Sequence, residues 1–370
     1  MNTFLHLLTS TSRGGCESNA ICLIRETPQY HHELLVLGPE GEMSAEFGAA
    51  GAVVEHRLPG RRSRGLIAAV SETVARVKPT GVLVWHGMVG LPEILHALQD
   101  YDGVILVHGG NPATSMPRWV DWRYRLREAR LGRRAKATYV CCSQYVADSF
   151  VSSRYLRRFP RVVVPNGVRA LTGPPHTPRP LDGATPLTIG MVARLDGIKD
   201  HPTLLRAFAL VLRDYPAARL ELAGDGERRG ELEALVKELG LGQQVRFLGM
   251  IGEVYSALAD WDLFAYATTE REGQGIALAE AMMAGLPCVV TNVGPIVEVA
   301  GDPAVLALVP DRDPEAFARA TTALLGDLPR RKELSEKGRA RALSEYSGSI
   351  FAARYAALIL SKHHDGKEKR

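Results

Sequence analysis

The sequence predicts an α/β fold in which two Rossmann-like domains face each other across a cleft. Short apolar runs alternate with longer amphipathic segments along most of the 370 residues, a pattern typical of doubly wound parallel sheets. Runs such as 103–107 are apolar on both faces, as strands covered by helices on both sides should be. Ligands of such sheets bind beyond the carboxyl ends of the strands, so we expect the functional site in the cleft.

Each half of the chain supplies one series of strands and helices. The first half is predicted to form strands at 3–8, 33–37, 52–56, 81–85, 103–107, 137–141 and 161–164, separated by helical segments such as 64–77 and 118–134. The second half is predicted to form strands at 187–193, 219–223, 245–248, 262–267, 287–291 and 304–309. Helices are predicted there at 201–214, 227–239, 252–259, 275–285, 295–300, 313–326, 329–345 and 348–362.

A proline-rich stretch separates the two series. Residues 171–180 include four prolines and have no periodicity, which predicts an interdomain linker at 169–186, an ordered surface loop being the alternative. The first domain then covers 1–168 and the second 187–345, and a helical segment with a polar tail fills 346–370.

Composition narrows the class of protein. With 46% hydrophobic and 23% charged residues the chain is neither disordered nor collagen-like, and no run approaches the 18 apolar residues that suggest a membrane-spanning helix. Its five cysteines are an odd number without metal-ligand spacing, which favours the reducing cytoplasm. Residues 1–165 contain 20 basic and 14 acidic side chains, a net charge of +6, so the first half should attract anions more strongly than the second.

Two segments have the features of phosphate sites. Gly14 and Gly15 follow the first strand and precede a helix, so an anion could approach the backbone and the helix N-terminus closely, a plain turn being the alternative. In the second half Arg194 ends a strand and Lys199 follows five residues later. Two such cations can neutralise a diphosphate, and solvated loop cations are the alternative.

A third, glycine-rich segment argues against a dinucleotide enzyme. Gly224, Gly226 and Gly230 have the spacing G-x-G-x-x-x-G, which is one residue longer than the dinucleotide fingerprint. The following strand at 245–248 does not end in the acid that such enzymes use to bind ribose. A hydride-transferring enzyme is therefore disfavoured, and a tight turn is the better interpretation.

The most informative segment is 269–287. Glu272 and Glu280 are separated by seven residues, and Gly273 and Gly275 precede a predicted helix whose first N–H groups could meet a phosphate. Glu280 lies about one turn inside that helix and has the reach for a pair of sugar hydroxyls. The alternative is a helix with one exposed acid and one N-terminal acid.

The second half resembles glycosyltransferase family 4, the retaining nucleotide-sugar enzymes with the two-domain GT-B fold. The resemblance is strong in order and spacing over 160–325 and looser over 1–160. It rests on VPNGV at 164–168, VARLD with the following lysine at 192–199, LAGDG at 222–226, VRFLG at 245–249 and the E-x7-E motif at 272–280. It implies that the helix within 346–370 returns to the first domain.

The resemblance assigns roles to individual residues. It implies that Arg194 and Lys199 hold the donor diphosphate, that Glu280 binds the nucleotide ribose, and that Glu272 lies near the donor sugar and takes part in catalysis. In the second domain, the resemblance implies that the backbone of Gly275 and Ile276 lies near the phosphates. In the first domain, it implies that Gly14 and Gly15 lie near both the phosphates and the acceptor.

A histidine of the first domain completes the expected site. His108 ends a predicted strand and is followed by two glycines, and the family commonly has a histidine at this strand end, close to the transferred sugar. His86, at the end of the preceding strand, is the alternative. Two features depart from the family pattern or compete with it: Gln274 stands where an aromatic residue is common, and Glu270 offers a second carboxylate near Glu272.

The resemblance implies a retaining glycosyltransferase. We expect it to move a hexose-type sugar from a nucleoside diphosphate sugar, with UDP favoured over GDP, to a hydroxyl of a glycan, a lipid-linked or a small natural-product acceptor. No cofactor is expected, and no essential metal either, because no Asp-x-Asp motif lies within these loops. The alternatives are a nucleotide-sugar epimerase or hydrolase on the same fold and a non-catalytic sugar-nucleotide-binding partner protein.

A basic stretch at 118–136 contains eight cations and two acids. At helical spacing one face is formed by Arg123, Arg127, Arg130 and Arg134, and another by Trp119, Trp122, Leu126 and Ala129. The aromatic face is predicted to be core, and the arginine face is a candidate contact for an anionic membrane or an acidic acceptor. The expected location is the cytoplasm, with peripheral contact at the inner membrane face as an option, and nucleic acid is not an expected partner.

Overall fold

The computed structural model describes residues 2–58, 63–85, 90–171, 173–180 and 186–361. The chain divides into two compact units, Met1–Gly167 with Gly348–Arg370 and Val168–Ser347. The first unit is therefore assembled from both ends of the chain.

The first unit is built on a parallel sheet. Its strands β1 to β7 are Thr3–Leu8, His31–Val36, Ala52–His56, Gly81–Val84, Val104–Gly109, Thr138–Cys141 and Arg161–Val163. Helices α1 to α6 are Gly15–Glu26, Ser44–Ala49, Ser63–Val77, Leu91–Ala97, Arg118–Leu131 and Gln144–Ser149, and 3₁₀ turns lie at Ala113–Ser115, Phe150–Ser152 and Leu156–Arg158. The strand order is β3-β2-β1-β4-β5-β6-β7, so the order reverses between β1 and β4.

The second unit repeats this plan. Its strands β8 to β13 are Thr188–Val192, Arg219–Ala223, Val245–Gly249, Leu263–Tyr266, Cys288–Thr291 and Ala307–Val309. Helices α7 to α13 are His201–Val211, Arg229–Glu238, Val254–Ala259, Ile276–Ala284, Gly294–Ala300, Pro314–Gly326 and Leu328–Glu345. The strand order is β10-β9-β8-β11-β12-β13, and all these pairs are parallel.

Local sequence explains where several helices of the second unit begin. Asp200 and Asp313 precede α7 and α12, and their carboxylates accept the backbone N–H of Thr203 and Ala316 at 3.3 and 2.8 Å. A proline follows within the first turn of both helices, where its missing N–H costs nothing. These caps explain why the two helices begin at His201 and Pro314.

Each unit has its own apolar core. The core of the second unit lies on both faces of its sheet and includes Trp261, Phe264 and Met282, each with at most 1% of its surface exposed. The first unit has one cluster on each face of its sheet. The last helix, α14 (Gly348–Leu360), buries Phe351 and Ile359 in the cluster that also contains residues of α1.

The predicted α/β class with two Rossmann-like sheets is confirmed. The predicted strands are all present, with ends that differ by a few residues, and β5 continues through Gly109, so that His108 lies inside the strand. The predicted helix at 118–134 ends at Leu131, where Gly132 has a φ of 80°. The short helices α2, α4 and α6 were not predicted, because six or seven residues give little periodicity.

The proline-rich stretch belongs to the second unit where the structure describes it. His176 N–H donates to the Ala284 carbonyl at 2.8 Å. The Arg179 guanidinium donates to both carboxylate oxygens of Asp262, at 2.8 and 3.1 Å. Residues 173–180 are therefore an anchored segment, and the boundary between the units falls before them, at 167/168.

Candidate active site

In the second unit the loops that follow β8 and β11 meet where the strand order reverses. The two strands are hydrogen-bonded neighbours. Asp200 N–H donates to the Ala267 carbonyl at 3.0 Å, and Thr269 N–H donates to the Ile198 carbonyl at 3.1 Å, so the loops are fastened to each other. Open α/β sheets bind ligands at such reversals.

This arrangement brings Lys199 and Glu272 together. Lys199 Nζ forms an ion pair with Glu272 Oε2 and lies 2.6 Å from the Tyr266 hydroxyl. The Tyr266 O–H donates to the same carboxylate oxygen at 2.9 Å, and Gly273 N–H donates to Oε1 at 2.9 Å. The Lys199 and Glu272 side chains are only 12% and 11% exposed, so the cluster is largely shielded from water.

The charge of Glu272 is fixed by these partners. Burial alone would raise the pKa of this carboxyl group. The Lys199 ammonium and the hydrogen bonds from Tyr266 and Gly273 outweigh burial and hold the pKa below its ordinary value. Glu272 is therefore an ionised carboxylate held in one position, whereas Glu270, the competing acid of the sequence, is exposed.

Arg194 takes no part in this cluster. Its side chain is 72% exposed, and Nε lies 3.1 Å from Asp196 Oδ2. The neighbouring turn is tight, because Gly224 has a φ of 134° and a Cβ there would lie 2.0 Å from the Ala193 carbonyl oxygen. The glycine-rich segment after β9 thus packs against the loop that carries Arg194, which agrees with the tight-turn interpretation.

Helix α10 begins beside the buried cluster. Its N-cap is Gly275, with a φ of 88°, and Ile276 is its first residue. A Cβ on Gly275 would come within 3.1 Å of Tyr266 Cε1 and Ile296 Cδ1, so only glycine fits without strain. The first N–H groups of a helix have no acceptor within it and carry the positive end of the helix dipole, which suits an anion.

Glu280 lies one turn further along α10, four residues after Ile276 and on the same side of the helix. It is half-buried and forms no hydrogen bond or ion pair with any residue in the described part of the chain. Burial raises the pKa of this carboxyl group to about 7, with Arg169 lowering it and Glu253 raising it further. The carboxylate is therefore available to accept hydrogen bonds from a ligand.

In the first unit, Gly14 and Gly15 lie at the start of α1, which follows β1 as predicted. Gly14 is the N-cap, with extended backbone, and Gly15 opens the helix. A Cβ on Gly14 would lie 2.6 Å from Oε2 of Glu17, so the Glu17 carboxylate lies beside this helix N-terminus. An acid in this position stabilises the helix by itself, and a phosphate beside Gly14 would have to share the N-terminus with it.

His108 lies near the carboxyl end of β5 and is 5% exposed. Its Nδ1 lies 3.0 Å from the Tyr355 hydroxyl on α14, and its ring centroid is 5.4 Å from that of Trp85. Trp85 is held in turn, because its indole N–H donates to His6 Nδ1 at 3.0 Å. His86, the alternative histidine, lies outside the described residues.

Sequence reasoning missed two residues that hold the expected catalytic side chains. Tyr266 contacts both Lys199 and Glu272, and its place at the end of β11, just before the E-x7-E motif, was the signal that could have shown it. Tyr355 contacts His108 across 247 residues of sequence. No local pattern predicts such a contact, because α14 reaches this site only through the tertiary fold.

The prediction that the aromatic face of the basic helix is core was wrong. Trp119 and Trp122 are 61% and 60% exposed, and the residues of α5 that are buried are Tyr124 and Glu128. The predicted arginine face is also divided: Arg127 pairs with Glu93 at 3.3 Å, whereas Arg134 lies beyond the helix and pairs with Glu128 at 2.5 Å. The side chain of Tyr124 packs into the core of the first unit, whereas those of Trp119 and Trp122 are exposed to solvent.

Across the described residues, no group of three or more histidine, cysteine or acidic side chains has the geometry to hold a metal ion. Within the same residues, no helix combines the length and the apolar character needed to span a membrane.

Comparison with known families identifies the second unit. The family "Glycosyl transferases group 1" matches residues 179–341. This range contains the loops after β8 and β11 and the whole of α10, and so all of the second-unit residues described above: Arg194, Lys199, Tyr266, Glu272, Gly275, Ile276 and Glu280.

Curated relatives differ in how much of their length is matched. The putative glycosyltransferase EpsF of Bacillus subtilis is 25% identical over 319 residues, which are 78% of each chain. The exopolysaccharide phosphotransferase SCO2592 of Streptomyces coelicolor is 32% identical over 178 residues, 47% of this chain but 18% of that protein. The N-acetyl-alpha-D-glucosaminyl L-malate synthase of Bacillus anthracis is 31% identical over 172 residues, so the chain spans 44% of its length.

Solved structures share the fold along nearly the whole chain. Anabaena Alr3699/HepE, solved in complex with UDP-glucose, has a TM-score of 0.82 at 19% identity and covers 98% of this chain and 100% of its own. WaaG, a glycosyltransferase involved in lipopolysaccharide biosynthesis, has a TM-score of 0.70 at 17% identity, covering 96% and 99%. Together with the family match over residues 179–341, these likenesses confirm the resemblance: the chain has the GT-B fold, and its second unit matches the group 1 glycosyltransferases.

Proposed function

We propose that the protein transfers a hexose from a UDP-sugar to a hydroxyl group of a glycan, a lipid-linked or a small natural-product acceptor, with retention of the anomeric configuration. The observation that carries this proposal is the combination on α10 of an open helix N-terminus at Gly275 and an unpartnered, half-buried Glu280. UDP is favoured as the nucleotide because a solved protein of the same fold was crystallised with UDP-glucose.

The donor would bind along α10. The ribose hydroxyls would donate to the Glu280 carboxylate, and the diphosphate would lie at the N–H groups that follow Gly275. Since Ile276 and Glu280 are four residues apart, a rise of about 6 Å along the α-helix, the spacing suits a ribose that is directly linked to a diphosphate. This geometry supports the proposed donor because the ribose hydroxyls meet a hydrogen-bond acceptor and the diphosphate meets the positive end of the helix dipole.

The leaving group would be stabilised by cations from the loop after β8. Breaking the bond between the sugar and the diphosphate leaves negative charge on the diphosphate and positive charge on the sugar ring. Lys199 and Arg194 would neutralise the diphosphate; the Arg194 side chain is 72% exposed and would exchange its ion pair with Asp196 for the diphosphate. The acceptor hydroxyl would attack the sugar ring on the same face from which the diphosphate leaves, and a diphosphate oxygen would take the proton of that hydroxyl.

Glu272 and His108 would act on the sugar. Glu272 is ionised and fixed by Lys199, Tyr266 and Gly273, so it is suited to stabilise positive charge on the ring and to orient the donor. His108, held by Tyr355, would hydrogen-bond to a sugar hydroxyl. We assign the acceptor to the first unit, with Gly14 and Gly15 near the phosphates, and these groups perform the transfer without a cofactor.

The test measures release of UDP from a panel of UDP-sugars with and without candidate acceptors. Glu272→Gln should lower the rate at least 100-fold, as expected when electrostatic stabilisation of a transition state is lost. Glu270→Gln, which removes an exposed acid two residues away, is the matched control and should keep wild-type turnover. Equal rates for wild type and Glu272→Gln would remove the catalytic assignment.

The same assay separates the other activities considered for this fold. Release of UDP that needs no acceptor, or epimerisation of the donor, would favour a hydrolase or an epimerase. Binding of UDP without turnover of any sugar nucleotide would favour a non-catalytic binding protein. A thermal-shift comparison of UDP, GDP and ADP identifies the base beforehand, because tight binding raises the melting temperature by mass action.

A further inference from the structure

Helix α5 presents an exposed basic and aromatic surface that the proposed reaction does not use. We name it the Arg–Trp face, formed by Trp119, Trp122, Arg118, Arg123, Arg125 and Arg130. All six side chains are exposed. We propose that the Arg–Trp face binds the surface of an anionic lipid bilayer.

The positive charge of this face is not neutralised by the protein. None of its four arginines forms an ion pair with a residue in the described ranges. The two acids of α5 are used internally: Asp121 accepts from Tyr155 N–H at 3.0 Å, and Glu128, 9% exposed, pairs with Arg134 at 2.5 Å. The face therefore offers uncompensated cations, as a surface that meets anionic headgroups should.

A second segment extends the positive charge. A cavity of about 400 Å³ is lined by both Trp122 and Arg154, which places Arg154 beside the helix. Arg154 and the nearby Arg157 are exposed and unpaired within the described chain, and Val151 is 68% exposed. The cations are thus spread over two elements around apolar side chains.

The tryptophans favour a bilayer over a soluble anion. Large exposed aromatic side chains are unusual on a protein surface, and two of them lie side by side here, three residues apart. Indole rings concentrate at the headgroup level of membranes. The four arginines of the face are all exposed, including Arg118 and Arg125, which line the cavity beside Trp122, so they form a broad cationic surface and do not enclose a single soluble anion.

The tryptophan content of the chain allows a direct test. The other two tryptophans, Trp85 and Trp261, are each 1% exposed, so a change of environment on binding reports on Trp119 and Trp122. The full-length protein is mixed with vesicles of phosphatidylcholine alone or of phosphatidylcholine and phosphatidylglycerol in equal parts. We expect flotation and a blue shift of the fluorescence with the anionic vesicles only, and loss of both at high salt.

Variants separate the proposed surface from general positive charge. The triple variant R118Q/R125Q/R130Q should bind anionic vesicles about 100-fold more weakly, since each arginine near the surface contributes about fivefold. The matched control R206Q/R213Q/R319Q removes three exposed, unpaired arginines of the second unit and should bind as wild type does. Replacement of both tryptophans by alanine should abolish the blue shift and weaken binding.

Three results would overturn the proposal. The first is that the wild-type protein does not bind anionic vesicles. The second is that R118Q/R125Q/R130Q binds them as well as the wild-type protein does. The third is that the tryptophan variant binds them fully and that soluble dextran sulfate displaces the protein from the vesicles. The last result would assign the face to an acidic polysaccharide instead. Each variant is first checked for an unchanged melting temperature and for its response to UDP, so that misfolding and failure of the donor proposal are recognised separately.

Discussion

Replacing Lys199 by methionine is expected to destabilise the second unit because it leaves the buried Glu272 carboxylate without a counter-ion. Glu272 is 11% exposed on its side chain and forms its ion pair with Lys199. Methionine has a similar length and no charge, so the substitution removes the counter-ion and little packing. The variant therefore isolates the electrostatic contribution of the pair.

The expected loss follows from the partners that remain. Removing one member of a buried ion pair costs about 3–5 kcal/mol. Tyr266 O–H and Gly273 N–H, at 2.9 Å each, still hydrogen-bond the carboxylate, which places the loss at the lower end, about 3 kcal/mol. For a domain of this size each kcal/mol lowers the melting temperature by about 2–4 °C, so a decrease of roughly 6–12 °C is expected.

The pH dependence of stability should change sign. In the wild-type protein the pKa of Glu272 lies below its ordinary value, so the stabilisation is present above the unfolded pKa and is lost as pH falls through the folded pKa. Without Lys199, burial dominates and raises the pKa. The variant should then lose stability as pH rises through that raised pKa, so its deficit is largest in neutral and alkaline solution and shrinks in acid.

Calorimetry across the acidic and neutral pH range measures these effects. It compares the wild-type protein with Lys199→Met, with the double variant Lys199→Met/Glu272→Gln and with the control Lys237→Met. The double variant should recover part of the loss, because no buried charge is left. Lys237 is exposed and unpaired within the described chain, so its replacement should change stability by less than about 0.5 kcal/mol. A Lys199→Met protein that melts like Lys237→Met at neutral pH would refute the reasoning.

Three further predictions concern other residues of the site. Because the pKa of Glu280 is about 7, the affinity of the wild-type protein for UDP should fall by up to tenfold per pH unit below about 7 until it approaches that of Glu280→Gln, so titration calorimetry should show the difference between the two proteins shrinking in acid. Gly275→Ala should lower the stability of the second unit by about 1–2 kcal/mol, because a side chain is unfavourable at a φ of 88°. The control Gly230→Ala in α8 should stabilise the unit, and equal shifts in melting temperature for the two variants would contradict this reasoning. Tyr355→Phe removes one hydrogen bond from His108 and should lower kcat about fivefold, with little effect on the melting temperature. The pH profile of kcat should also change, and an unaltered profile would speak against a positioning role for Tyr355.

The sequence predicted well where the candidate residues of the second unit lie relative to its strands and helices. Arg194, Lys199 and Glu272 lie in loops that follow strands, and Glu280 lies in the helix after the second of these loops, where local spacing reflects local structure. Their pairing was not visible, because the ion pair between Lys199 and Glu272 depends on β8 and β11 being neighbours. The resemblance assigned separate roles to these two residues, and the fold shows them as one buried cluster.

The first half was harder to predict for physical reasons. Whether an aromatic side chain on a helix points inward depends on the angle at which the helix meets the sheet, and this angle is not encoded in the helical period. The helical period therefore predicts Trp119 and Trp122 as core residues, whereas the structure buries Tyr124 in that place. The hydrogen bond between Tyr355 and His108 is equally invisible, since it joins the last helix to a strand far away in the chain.

Binding of UDP to Glu280→Gln tests the central claim most directly. Hydrogen bonds to a charged group contribute about 1.5–3 kcal/mol, so calorimetry above pH 7 should show affinity lowered about 10- to 100-fold in this variant. Glu270→Gln, whose side chain is exposed, should bind UDP as the wild-type protein does. If Glu280→Gln instead binds UDP with wild-type affinity, the nucleotide does not lie along α10, and the proposed donor site is wrong.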